Sequence, residues 1–147
     1  MSVPGSPISE HTIRRRVYFY ECDGAGIVHF SNYFRYMEEA EHALWRSTGL
    51  SIAHREAEIG FPRVAASFEY KRPLRFEDEF DIRIRITAIS QRSMKYACEL
   101  TKDGEAIAVG SATIVCVAKQ PDQSMKAVPI PPDIVSRFAV SAGAATP

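Results

Sequence analysis

The chain predicts an α+β fold, one long helix lying on a mainly antiparallel sheet of five strands, and three observations predict it. Near the N-terminus, Tyr33, Met37, Ala40 and Leu44 recur at helical spacing, with Arg35, Glu38, Glu39, His42 and Arg46 around the other side. Later segments alternate apolar and polar residues, or run almost wholly apolar, as half-buried and interior strands do. Asp103-Gly104 between the last two of these is tight-hairpin chemistry, which makes neighbouring strands antiparallel.

Residues 1–10 hold Pro4, Gly5 and Pro7 among small polar residues and have little to bury, so a loose tail is expected there. From His11, Ile13, Val17 and Phe19 alternate with Arg14, Arg16, Tyr18 and Tyr20, which predicts a first strand running into a glycine-rich turn. Arg14, Arg15 and Arg16 read as a solvated strand face. The helix is expected over 31–48, with Ser31 or Asn32 as N-cap and Gly49 as its stop. Ser51 to Gly60 suits a short helix or an ordered loop.

Val64, Ala66, Phe68 and Tyr70 form one alternating strand, and Phe80, Ile82, Ile84 and Ile86 form the next. Met94, Tyr96, Cys98 and Leu100 give a fourth, and the apolar run Ala106 to Val117 an interior fifth. Pro121 closes the sheet, Pro131 to Phe138 suits a helical turn, and 139–147 is a second small-residue tail. One domain over 11–138 is the expected body. A single helix is a thin cover for strands this long, which points to a second subunit.

A length of 147 residues with 46% hydrophobic content supports one real core and not two. Eighteen basic and eighteen acidic residues cancel, which argues against nucleic acid or an anionic membrane as partner. There is no apolar run of about 18 residues and no basic-then-apolar N-terminal segment, so a cytoplasmic protein without a span or signal peptide is expected. Cys22, Cys98 and Cys116, like His11, His42 and His54, lack metal-ligand spacing, and the cysteines read as reduced, small buried thiols. No metal and no cofactor is expected.

The chemistry concentrates in Glu21-Cys-Asp-Gly-Ala-Gly-Ile-Val-His-Phe. Gly24 and Gly26 allow a sharp turn, and the following helix opens with unpaired N–H groups and a partial positive charge. Asp23 beside such donors can attack a carbonyl carbon, or activate water to do so, while the donors hold the charge on its oxygen. Turn chemistry alone allows a plainer role, with Asp23 starting an Asp-Gly turn or capping the helix. His29 can bond a substrate or lend a proton, or be structural. Glu38 and Glu39 suit a solvated helix face, and Lys71, Arg72 and Arg75 a charged strand edge or phosphate contacts.

Cys22-Asp-Gly-Ala-Gly-Ile-Val, Asn32-Tyr33, Arg35, and Phe68-Glu-Tyr-Lys-Arg-Pro-Leu-Arg-Phe-Glu-Asp78, in this element order, resemble the hotdog-fold thioesterases of the 4-hydroxybenzoyl-CoA thioesterase family. The resemblance covers roughly residues 12–118. It implies hydrolysis of an aroyl or short acyl coenzyme A thioester by a homo-oligomer, a dimer or a dimer of dimers (homotetramer). Asp23 matches the family's catalytic aspartate, and the Phe30 N–H, in the first turn of the helix, its carbonyl-polarising donor. Gly26, His29, Tyr33 and Glu38 fall at its acyl pocket, and Arg92, Ser93 and Lys95 near its coenzyme A phosphates. Many acyl-CoA members have a histidine where Phe30 stands; here His29 is one place earlier, a pattern closer to the aroyl-CoA enzymes. The alternatives are a non-catalytic hotdog protein that binds acyl-CoA or acyl carrier protein, and a hotdog dehydratase with a histidine poised for proton abstraction.

Overall fold

Fifteen residues, Asn32–Arg46, form the long helix α1, and its buried face is what the sheet is laid against. The computed structural model describes residues 5–53 and 58–142. Ahead of α1 come strand β1 (Glu10–Arg16) and a 3-10 turn (Phe19–Glu21). After it come β2 (Ile59–Gly60), β3 (Arg63–Tyr70), β4 (Glu79–Ile89), β5 (Ser93–Lys102) and β6 (Glu105–Val115). The chain finishes with β7 (Val117–Lys119), β8 (Met125–Ala127) and the short α2 (Pro132–Val135). Among the described residues no helix is long and apolar enough to cross a membrane.

The main sheet has five antiparallel strands in the order β1-β4-β5-β6-β3. Phe80, Ile82, Ile84 and Ile86 of β4 and Met94, Tyr96, Cys98 and Leu100 of β5 are all buried, facing Tyr33, Tyr36, Met37, Ala40, Leu44 and Trp45 of α1. This is the period of 2 on a sheet meeting the period of 3.6 on a helix. The Trp45 indole N–H donates to the Tyr96 hydroxyl at 3.0 Å, which satisfies a polar group deep in that interface. Asp103 and Gly104 both take positive φ (51° and 79°), as the β5–β6 hairpin requires.

The structure departs from the sequence reading at several elements. The first strand stops at Arg16 rather than running to Tyr20, and Phe19 and Tyr20 are 74% and 78% exposed. The Glu21 carboxylate accepts the Tyr18 N–H at 2.8 Å and so curls the chain into the 3-10 turn. Arg15 is not on a solvated face: its guanidinium is largely withdrawn from water between Glu21 and Glu39, while Arg14 and Arg16 are exposed. Helix α1 is shorter than 31–48, and Ser31 makes no cap bond, its hydroxyl lying 2.7 Å from His29 Nδ1 instead.

Of the segments expected as tails, 1–10 and 139–147, residues 1–4 and 143–147 lie outside the described residues, and Ile8, Ser9, Ala139 and Ser141 are tied to the body. Ile8 N–H bonds to the Arg137 carbonyl, Ile86 N–H to Ser9, Ala139 N–H to Ile8, and Ser141 N–H to Ile86. The two chain ends therefore stitch to each other and to β4. Of the segment 51–60, residues 54–57 lie outside the described residues, and Ile59–Gly60 is a strand, not helix or loop. It pairs with β7, which pairs with β8, to make a second, three-stranded sheet. The apolar run Ala106 to Val117 hides this change of sheet because hydrophobic periodicity carries no information about which strand is the partner.

At the outer edge of the main sheet, β3 is mostly exposed on both faces, meeting α1 through Arg63, Phe68 and Tyr70 and little else. Phe68 makes the tightest of these contacts. Its ring packs on Phe34 and Tyr33 and covers Gly110 so closely that a Cβ there would lie 2.6 Å from the ring. Gly110→Ala is therefore expected to displace the ring and lower stability by about 1–3 kcal/mol, read as a drop in thermal midpoint. An unchanged midpoint would show that Phe68 is not held over that strand.

Candidate active site

The chain between β1 and α1 is a tight bracket closed at both ends on Glu21. The Glu21 carbonyl accepts the His29 N–H at 2.9 Å and the Asn32 side-chain amide at 2.9 Å. Inside the bracket, Asp23 N–H bonds to the Ile27 carbonyl at 2.8 Å and Gly26 N–H to the Asp23 carbonyl at 3.0 Å. Gly26 sits at φ +80°, a conformation in which a side chain is strained. Asp23 Oδ1 accepts the Ala25 N–H at 2.8 Å, so the carboxylate is held by its own turn and keeps its second oxygen for other partners. Val28 N–H, bonded to the Leu74 carbonyl at 2.8 Å, ties the bracket to the connection between β3 and β4.

Leaving the bracket, the chain passes through His29 and Phe30 into α1. Phe30 lies two residues before the first helical residue, not in the helix's first turn. Among the described residues nothing accepts the Phe30 N–H, and its carbonyl accepts the Tyr70 hydroxyl at 3.1 Å. Asp23, Phe30 and Tyr33 line one open cleft of about 470 Å³ together with Ile27, Val28, Tyr70 and Lys71–Pro73. Burial raises the phenols of Tyr33 and Tyr70, which keeps both neutral. A neutral Tyr70 phenol retains its proton as a donor near neutrality, consistent with its bond to the Phe30 carbonyl.

Residues 17–138 match the family model described as the thioesterase-like superfamily. The chain belongs to the thioesterase-like superfamily. A putative esterase of Aquifex aeolicus is 36% identical over 123 residues, covering 83% of this chain and 92% of that protein. The acyl-CoA thioester hydrolase YbgC of Escherichia coli is 27% identical over 84% of this chain and 91% of its own. Among solved structures, a gentisyl-coenzyme A thioesterase superposes with a TM-score of 0.76 at 31% identity, covering 84% of this chain and 98% of that one. A 1,4-dihydroxy-2-naphthoyl-CoA thioesterase from Synechocystis superposes with a TM-score of 0.77 at 26% identity, covering 83% and 90%. This superfamily member is a thioester hydrolase, and its helix-on-sheet architecture is the one these thioesterases share.

Against that chemistry, the residues singled out from the sequence divide into two groups. Asp23, Phe30 and Tyr33 come together on the cleft, and Gly26 shapes the loop behind it without lining it. His29 turns away, its Nδ1 at 2.7 Å from the Ser31 hydroxyl and its ring stacked on Phe30. Glu38 is half-exposed on α1, its nearest cation Arg63 at 3.7 Å, and is not a cleft residue of this chain. Arg92, Ser93 and Lys95 lie at the other end of the sheet. Lys95 is across from Thr113, which is across from Ala65, five residues or roughly 17 Å along β3 from Tyr70.

The sequence placed Tyr70 in an alternating strand and in the segment Phe68–Asp78 that carries the resemblance, with no role in the site, and it had no place for Glu41. Tyr70 falls directly before Lys71-Arg72-Pro73, where β3 ends at the cleft, and that adjacency together with the resemblance was its signal. Glu41 is 1% exposed on α1 and pairs with Arg63 at 2.9 Å. Nothing local distinguishes it from the solvated glutamates beside it.

Beneath the bracket, burial by itself would raise the Glu21 carboxyl, but bonds from Arg15, the Tyr18 N–H and the Tyr36 hydroxyl outweigh it and hold the carboxyl below its ordinary 4.5. A carboxyl lowered in the folded state contributes stability above its unfolded value and loses it as pH falls through the folded value. The difference in thermal midpoint between the parent and Glu21→Gln is therefore expected to be widest above about pH 5 and to shrink on acidification. A difference independent of pH would contradict this assignment.

Proposed function

We propose that this thioesterase hydrolyses an aroyl or short acyl coenzyme A thioester, with Asp23 as nucleophile or general base and the Phe30 N–H polarising the thioester carbonyl. The observation that carries the reading is one open cleft shared by a turn-held carboxylate, an unpaired backbone donor at the entrance to a long helix, and a cationic rim. Donors aimed at developing charge lower the barrier most where water is thinned out, and the helix N-terminus adds a partial positive charge from behind. Phe30, Tyr33 and Tyr70 give the cleft three aromatic walls, which suit a planar acyl group. Lys71 and Arg72 on its rim suit the phosphates of coenzyme A.

Two routes fit. As nucleophile, Asp23 adds to the carbonyl carbon, the carbon–sulfur bond breaks, the thiolate takes a proton from water, and the hydroxide so formed cleaves the mixed anhydride to the free acid and the Asp23 carboxylate. As general base, Asp23 takes a proton from water, hydroxide adds, and the departing thiolate receives that proton. Either consumes one thioester and one water and releases one acid and one thiol, without a metal or cofactor. The hydrolases of dihydroxynaphthoyl-CoA and gentisyl-CoA among the relatives support an aromatic acyl group, and YbgC supports an acyl-CoA ester in the wider sense. His29, occupied with Ser31 and off the cleft, lends no support to a dehydratase.

The working unit in this proposal is at least a dimer. Among the described residues the outer edge of β3 has no partner, and Val64 and Tyr70 on it are 60% and 46% exposed. Two β3 edges meeting antiparallel would cover those side chains, close the open side of the cleft, and bring the Arg63 end of one copy to the Tyr70 end of the other. Arg92, Ser93 and Lys95 of the second copy would then approach the cleft from which they are distant within one chain.

The test is thiol release from a panel of aromatic and aliphatic acyl-CoA esters. Release from none of them would overturn the reading, as would a protein whose melting point rises with acyl-CoA while no thiol appears. Asp23→Asn keeps an oxygen for the Ala25 N–H and is expected to fold and bind substrate while losing about 10²-fold or more in kcat. A parent-like kcat in that variant would remove Asp23 from the chemistry. Lys71→Ala and Arg72→Ala are expected to raise KM several-fold with kcat little changed, the pattern of lost uniform binding; a lowered kcat at constant KM would assign them elsewhere.

A further inference from the structure

We infer that Arg15 and Glu21 are positioning residues of the hydrolytic site, their largely buried ion pair setting the Asp23 carboxylate and the Phe30 N–H in register across the bracket between them. The inference rests on the proposed role of those two groups and concerns what holds them.

Glu21 accepts six hydrogen bonds, four on its carboxylate and two on its carbonyl. The carboxylate receives Arg15 in two-pronged fashion at 2.8 and 2.6 Å, the Tyr18 N–H at 2.8 Å and the Tyr36 hydroxyl at 2.9 Å. The carbonyl receives the His29 N–H and the Asn32 amide. One residue thus grips β1, the 3-10 turn, the far end of the bracket and the first turn of α1. Asp23 is two residues after one grip and Phe30 one residue after the other, so a shift of Glu21 is passed directly to the backbone that carries both groups.

Arg15 carries the load onto the helix. Its guanidinium also donates to Glu39 at 2.7 and 3.1 Å and to the Arg16 carbonyl at 2.9 Å, and it lies 4.8 and 4.7 Å from the ring centres of Tyr18 and Tyr36. Every donor direction of this planar fork is engaged, which a lysine ammonium cannot reproduce. Stability does not by itself require such a pair, because well-packed apolar replacements of buried ion pairs are commonly as stable. Geometry does require it. Displacing a catalytic group by about 1 Å costs on the order of 10²-fold in rate, and a two-pronged pair fixes angle as well as distance.

The experiment compares the parent with Arg15→Lys, Glu21→Gln and the double variant Arg15→Met/Glu21→Gln, using the acyl-CoA of the panel that the parent cleaves fastest. Each variant is expected to lose roughly 10- to 100-fold in kcat with KM within about twofold of the parent. The double variant, with no unpaired charge left on the Glu21 side, is expected to regain thermal midpoint relative to Glu21→Gln without regaining kcat. A kcat that rises together with the midpoint, or parent-like turnover in all three, would reduce the pair to a structural role and overturn the inference. Amide hydrogen exchange supplies a readout that needs no turnover. Protection at Asp23, Gly26 and His29 is expected to fall in Arg15→Lys while β4 and β5 stay protected, and unchanged protection at those three amides would overturn the inference even if the parent released no thiol at all.

Discussion

The contact between Arg15 and Glu21 is the constraint on which the working end of this protein depends. A chain leaving an edge strand must reverse, form a loop that exposes a carboxylate, and enter a helix at a defined angle. Apolar burial within Glu21–Phe30 is too slight to fix those three events, since only Val28 within Cys22–Phe30 is buried and Phe30 is exposed. The loop is held by polar bonds instead, and these converge on Glu21. They work because the pair is withdrawn from water, where hydrogen bonds to charge are stronger and an unmet partner is expensive.

The core supplies the frame and not the chemistry. Helix α1 and the inner face of β4 and β5 bury aromatic and branched side chains on one side, while the outer face of the sheet carries ion pairs such as Arg14 with Asp81 and Arg83 with Glu10. Those outer pairs are solvated and contribute little to stability. What the frame decides is position. It holds the entrance of α1 beside the end of β3, so the bracket, Tyr70 and Lys71–Pro73 enclose one cleft although they are some 40 residues apart in sequence.

The same frame leaves the cleft open. Strand β3 is the last strand of the sheet and extends beyond the cover of α1, so Val64 and Ala66, which alternate as though facing a core, meet solvent in the single chain. Alternation records that a side chain is apolar every second residue, and a face covered by another copy of the protein produces the same record as one covered by the protein's own helix. The exposed side chains of β3 and the open side of the cleft are thus two sides of one geometric fact.

Helix, hairpin and turn were legible because each is decided by neighbours in sequence. Spacing in Tyr33–Leu44 reports one helical face, Asp103-Gly104 reports a turn that needs positive φ, and Cys22–Val28 reports a glycine loop that presents Asp23. Whether Arg15 faced water or Glu21, whether Glu41 was solvated or paired with Arg63, whether β7 stayed in the first sheet or left it, and which end of the sheet held Lys95 were not written there. Each depends on a partner at long sequence separation, and a residue's own pattern carries the phase of its side chain but not the identity of what the folded chain brings opposite it. Local pattern was enough to set the elements and the glycine loop that presents Asp23; the pairing of strands across the sheet decided which charges were buried, which residues met in the cleft, and which were left at its far end.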